Sequence, residues 1–384
     1  MIDIDVVAVR RDLHAHPELA FLETRTTEVI LDALQAMGLR AQRLPGGTGV
    51  VCDIGEGSAG STIALRADID ALPLQDEKDV AYRSTVPGVC HACGHDLHTT
   101  ILLGAGLALA EHRHRLPGRV RLIFQPAEEK VPGGAVDVID AFEVKDVSAI
   151  FALHCDPKID VGKLGVRVGS ITAASDLMEI RLSGPGGHTA RPHLTADLVY
   201  AISRVVTDLP GALSRVVDPR ACLTVSFGCV QSGSVHNAIP TQAVARGTVR
   251  VLDRHVWAEM PKLVEHILES TVAPLHCKWD VEYQRGAPPV INDEFATEVM
   301  AAAARKALGG AAVQTAPQSM GGEDFSWYLE HIPGSMARLG VRMPGTDLDL
   351  HAALFDADEG AIPIGVRILA QTALDALDHY AIQR

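Results

Sequence analysis

The sequence predicts an α/β protein: a mostly parallel central sheet with helices on both faces, interrupted by a smaller inserted α+β domain. Three observations carry this expectation. The chain has 384 residues, more than one ordinary core organises, which implies about two domains. In the first part, short apolar runs, each followed by polar residues, alternate with segments of helical spacing. In the middle, the periodicities read strand, helix, strand, strand, helix, strand, a ferredoxin-like order.

The elements follow in chain order. Thr26 to Met37 has helical spacing and stops at Gly38, a natural C-terminal cap. Ile63 to Leu65, Val120 to Phe124 and Ile150 to Leu153 read as strands of the central sheet. Ligands in such sheets sit at the carboxyl ends of the strands. Met178, Ile180 and Leu182 then alternate as a strand, and Leu198, Ile202, Val205, Val206 and Leu209 follow helical spacing. Leu223, Val225 and Phe227 alternate, as do Val249 and Val251. Val256, Met260, Leu263, Val264 and Ile267 are helical again, and Lys278 to Tyr283 reads as a last strand. After Gly286-Ala287-Pro288-Pro289 the helix-rich character returns. The expected organisation is a catalytic part formed by 1–175 and 286–384, with 176–285 inserted into it.

Composition narrows the function. Hydrophobic residues make up 47% and charged residues 21%, the balance of a globular chain. Aromatic residues are only 4%, too few for base-stacking platforms, and the net charge of −14 disfavours nucleic acid and anionic membranes as partners. The opening MIDIDVVAVRRDLHAHPE has early acids and no sustained apolar stretch, so no signal peptide is expected. No apolar run reaches membrane-spanning length. Seven scattered cysteines, an odd number, suit a cytoplasmic protein with reduced thiols.

Four segments could carry chemistry. Cys90-His91-Ala92-Cys93-Gly94-His95-Asp96-Leu97-His98 packs thiol, imidazole and carboxylate donors into nine residues, a density that points to a transition metal. Its Cys90–Cys93 spacing also fits a redox pair, which leaves the histidines unexplained. Gln125-Pro126-Ala127-Glu128-Glu129 follows a strand, where one carboxylate can bind metal while the other moves protons. Alone it would read as a solvated acidic loop. His154 closes another strand, and His351 lies near the C-terminus; singly, each is better read as an ordinary histidine. A parallel sheet brings such strand ends together. Gly184-Pro185-Gly186-Gly187-His188 is not a phosphate loop, because it has neither the Walker nor the Rossmann spacing. It is a turn that presents His188, either as a surface residue or as part of a site.

Taken together and in order, these strings resemble the aminoacylase, hippurate hydrolase and indole-acetyl-amino-acid hydrolase family of metal-dependent amidohydrolases. Arg11 to His14 with Pro17-Glu18-Leu19 and Glu23 resembles the family's opening, and Arg66 to Pro73 its next loop. Asn237-Ala238-Ile239-Pro240, Gly322-Glu323-Asp324-Phe325 and His351 with Phe355-Asp356 continue the pattern almost to the end of the chain. The resemblance implies hydrolysis of the amide of N-acyl amino acids or related small molecules, at a site holding two divalent ions. Cys93, His95, Glu129, His154 and His351 match the metal ligands, and Glu128 matches the general base. His188 matches an oxyanion stabiliser and Asn237 a substrate-binding residue. The inserted domain would be a lid that makes a homodimer. Zinc suits the thiolate and manganese is the other leading expectation, with cobalt and nickel as alternatives. A dipeptidase or carboxypeptidase, an N-acetyldiaminopimelate-type deacetylase, and a metal-dependent binding protein without turnover are the rival readings.

Overall fold

A computed structural model describes residues 4–55, 61–142 and 144–382. Met1 to Asp3 of the opening segment, and the last two positions of the expected 286–384 segment, lie outside the described residues. The chain divides into two compact units: Met1–Ile171, Val290–Pro317 and Asp324–Arg384 form the first, and Thr172–Pro289 with Gln318–Glu323 form the second.

The first unit is built on an eight-stranded sheet in the order Ala41–Arg43, Val50–Ile54, Arg119–Gln125, Thr62–Asp68, Val147–Asp156, Gly334–Gly340, Leu164–Val166, Val313–Thr315. The four strands 119–125, 62–68, 147–156 and 334–340 lie side by side and parallel. Antiparallel neighbours flank them. The expected mostly parallel α/β sheet is what the chain forms, with antiparallel pairs that the sequence reading does not include.

Alternation along each strand sorts side chains to two faces. Ile63, Leu65, Val120, Leu122, Phe151 and Leu153 pack into one core with the helices Thr24–Ala36, His95–Ala110, Glu294–Leu308 and Ala361–Ile382. Ala64, Ile123, Ile150 and Ala152 face the opposite core, with Ala135 and Val138 of the Ala135–Phe142 helix and with Tyr328. The His95–Ala110 helix is buried on nearly every side, as its apolar composition requires. The Thr24–Ala36 helix ends at Met37, and Gly38 takes a left-handed φ of 71°, the geometry that favours glycine there.

In the second unit a four-stranded antiparallel sheet runs Thr224–Ser232, Gln242–Val251, Ala174–Ser183, Lys278–Gln284. Met178, Ile180 and Leu182 are buried while their alternate neighbours are more open, so one face carries the core. The helices Leu198–Val216 and Arg254–Val272 supply the rest of it. Each starts on an aspartate cap, Asp197 accepting from the Tyr200 amide and Asp253 from those of His255 and Val256. Among the described residues, no helix is long and apolar enough to cross a membrane.

Candidate metal centre

The parallel strands of the first unit deliver their polar ends to one place. Thr62–Asp68 ends in Asp68 and leads to Asp70. Arg119–Gln125 leads to Glu128 and Glu129, and Val147–Asp156 carries His154. The His95–Ala110 helix starts among them. Gly94 precedes it with φ 85°, and a Cβ there would sit 2.7 Å from the Cys155 Sγ. Only glycine lets the turn close this tightly, and the closure presents Cys93 and His95 together.

Three overlapping donor groups result, each with ligand atoms mutually within 4.8 Å: Cys93, His95 and His154; Cys93, Glu129 and His351; His95, Glu128 and Glu129. Cys93 belongs to two groups that share no other residue, so its sulfur lies between two adjacent donor sets. Its Sγ is 3.6 Å from the His154 Nε2. The His351 Nε2 lies 3.1 Å from a Glu129 oxygen. His351 itself is held at a left-handed φ of 59°, with its amide donating to the Ala92 carbonyl at 2.8 Å. A Glu128 oxygen stands 4.0 Å from the His95 Nε2.

Neighbouring groups aim these donors. The His154 Nδ1 lies 2.8 Å from the Cys155 carbonyl, so it carries the proton and Nε2 presents its lone pair to Cys93. Asp70 lies 3.1 Å from the His95 Nδ1 and accepts the Glu129 amide at 2.9 Å, fixing a ligand candidate on each side. The His95 Nε2 is buried, with no hydrogen bond among the described residues.

Electrostatics agree with a cation site. Burial opposes a charge on His95, but Asp68 and Cys93 overcome it and hold the imidazole well above its usual range. Cys93 and Glu129 push His351 up to about 10. Burial, with Arg338 and His98 nearby, pushes His154 well down, so it is a neutral donor. Burial raises the Cys93 thiol. Anionic groups clustered this way require positive charge, which two imidazoles supply and a divalent ion supplies better. The mixed thiol, imidazole and carboxylate donors, with a His95 Nε2 that makes no hydrogen bond among the described residues, fit a borderline-soft divalent metal.

The motif of nine residues divides. Cys93 and His95 join the cluster. His98 does not offer a free nitrogen: Nδ1 lies 2.6 Å from Asp68, and Nε2 accepts the Cys155 amide at 2.7 Å. Asp96 turns away to Arg10 at 2.8 Å and His14 at 2.7 Å. Burial pushes His91 down to about 3, leaving it neutral. Cys90 and Cys93 are free thiols.

His188 and Asn237 lie in the second unit, exposed and next to one another. The short strand Gly187–His188 pairs with Ala238–Ile239, and the Thr189 amide donates to the Asn237 carbonyl at 3.3 Å. A Cβ on Gly186 would meet the Ile239 carbonyl oxygen at 2.5 Å, so the glycines allow the close pairing that presents His188. Sequence reasoning missed the roles of Asp70, His98 and the buried group in which Asp324 accepts from Arg66 at 2.7 Å and from Gln125. Alternating Asp68 and Asp70 after an apolar strand was the available signal.

A parallel sheet with thiol, imidazole and carboxylate donors converging at its strand ends frames a candidate metal centre. The chain belongs to Peptidase family M20/M25/M40, whose profile matches residues 64–375, and it is a hydrolase of amide bonds. An N-acetyl-L-cysteine deacetylase of Bacillus subtilis is 39% identical over 97% of this chain and 88% of its own. A putative glutamate–cysteine ligase of Rhodococcus jostii is 48% identical over 95% of this chain; the match spans only 46% of that protein, so its name describes a much longer molecule. Among solved structures, Bacillus subtilis YxeP, described as a dinuclear metal binding peptidase from the M20 family, superposes with a TM-score of 0.85. It is 34% identical, with 97% of this chain and 98% of that chain covered.

Proposed function

We propose that this chain hydrolyses the amide bond of N-acyl amino acids or closely related small amides, using two divalent ions. Cys93, His95, Glu129, His154 and His351 would hold the ions, Cys93 being common to the two donor groups. The observation that carries this reading is the pair of donor groups sharing Cys93, beside the Glu128 carboxylate. The deacetylase relative and the dinuclear peptidase point the same way. Bound ions at such a site acidify water and polarise a carbonyl.

The protein's own groups do the rest. Glu128, near His95 but not needed in either group that contains Cys93, takes the proton from the attacking water and returns it to the leaving amine. His154 and His95 stay fixed through the Cys155 carbonyl and Asp70, so the donors need no rearrangement during the reaction. The roles proposed for His188, oxyanion stabiliser, and Asn237, substrate contact, rest on the family resemblance and on their adjacency in the second unit. We read 176–285 as a lid through which a homodimer forms, and the protein as cytoplasmic, without nucleic acid or membrane partners. Zinc or manganese is the proposed metal.

The test is release of free amino acid from a panel of N-acyl amino acids and dipeptides, by chelated protein and by protein reloaded with zinc, manganese, cobalt or nickel. Metal-restored hydrolysis of acyl amino acids is expected. Preference for dipeptides would favour a peptidase, the reading that the name of the YxeP structure supports. Glu128→Gln should lower kcat by roughly 1,000-fold or more while bound metal, by elemental analysis, stays at the wild-type level. Substantial activity in Glu128→Gln would remove Glu128 from the role of base.

A further inference from the structure

Glu23 is fully buried, yet the reaction as derived above makes no use of it. It stands just before the Thr24–Ala36 helix without capping it through its side chain. Instead, its Oε1 accepts the Ala127 amide at 2.8 Å, a contact across 104 residues of chain. Ala127 is buried and holds a left-handed φ of 57°, a conformation that costs an alanine about 1 kcal/mol. Its carbonyl accepts the Gly134 amide at 3.0 Å, so the residue is gripped on both sides. Two residues further on, Asp70 grips the Glu129 amide. Glu128 is the one residue between the two grips.

We propose that Glu23 is a positioning residue for Glu128: by holding the left-handed Ala127, it sets the direction in which the next residue leaves the turn. This rests on the reading of Glu128 as general base. The requirement is for reach, not charge. Burial pushes Glu23 up to about 7, whereas the Ala127 amide needs only an acceptor oxygen at the right distance. An amide side chain of the same length supplies that oxygen; a carboxylate one methylene shorter does not.

The test compares metal-loaded Glu23→Gln, Glu23→Asp and Glu128→Gln for kcat, KM, bound metal and melting temperature. Glu23→Gln should keep kcat within about 3-fold of wild type, and Glu23→Asp should lose roughly 10- to 100-fold in kcat with KM and bound metal unchanged. The reverse order, with Asp active and Gln impaired, would mean that the charge matters and would overturn the proposal. So would wild-type kcat in both, or a loss that only follows bound metal or melting temperature. An inactive Glu128→Gln beside a fully active Glu23→Asp overturns this inference alone. An active Glu128→Gln overturns the reading of the base and this inference with it.

Discussion

Asp70 orients two of the proposed metal ligands without being one of them. One oxygen faces the His95 Nδ1 and the other takes the Glu129 amide, so one carboxylate orients donors from two segments. Replacing such a partner typically weakens metal binding 10- to 100-fold. Asp70→Ala should therefore raise the concentration of free metal needed for half-occupancy by roughly 10- to 100-fold, measured by competition with a chelator. Unchanged affinity would mean that His95 is held by other contacts. At this scale the sequence was partly legible. Cys93 and His95 were candidates through donor density, Glu128, Glu129 and His154 through their places at strand ends, and His351 through the family resemblance. The orienting roles of Asp70, His98 and Glu23 were not legible, because they depend on which residue lies opposite, and nothing local encodes that. His98 sits three residues from His95 and looks equally suited to a metal, yet a backbone amide takes its second nitrogen.

Strands and helices were easier to read than their consequences. The apolar runs at 63–65, 120–124 and 150–153 lie inside longer strands, because polar residues such as Arg66, Asp68, Gln125, Ser148 and Asp156 interrupt or end the hydrophobic signal. Their parallel order could be inferred from the alternation with helices; the antiparallel strands at the sheet's margins could not. The junction at Gly94 is where element geometry meets the site. Gly94→Ala must accept a strained φ and move a methyl group away from the Cys155 Sγ. A loss of roughly 2–4 kcal/mol of stability is expected in denaturant titrations, combining the left-handed strain with overpacking. A loss below about 0.5 kcal/mol, as at an ordinary surface position, would show that the helix start can shift at little cost.

For the whole molecule, the proposed ligands couple metal to stability. They come from the start of one helix, the ends of two strands and a loop near the C-terminus, and the unfolded chain does not hold them together. A metal that binds the folded form alone stabilises it by about 4 kcal/mol when its concentration is 1,000 times its Kd. Chelation should thus lower the melting temperature by several degrees, and reloading should restore it. An unchanged melting temperature would mean that the ions are bound too weakly to matter to the fold. The change in periodicity is what suggested an inserted segment at 176–285; the second compact unit is Thr172–Pro289 with Gln318–Glu323. The place of the segment Gln318–Glu323 was not legible, because its links to the second unit are long-range: the Thr172 to Ser319 bridge, the Ala173 amide on the Ser319 and Gly321 carbonyls, and Arg250 on the Met320 carbonyl.

The separation of Cys93 from His351 has a consequence for biosynthesis. A ribosome makes the thiol and imidazole of 93–95 long before it makes residue 351. If Cys93 and His95 are ligands as proposed, a nascent chain would display them before its last ligand exists, and copper, at the top of the affinity order for such donors, would be the strongest competitor for them. The proposed site would be complete only once the loop carrying His351 has been made.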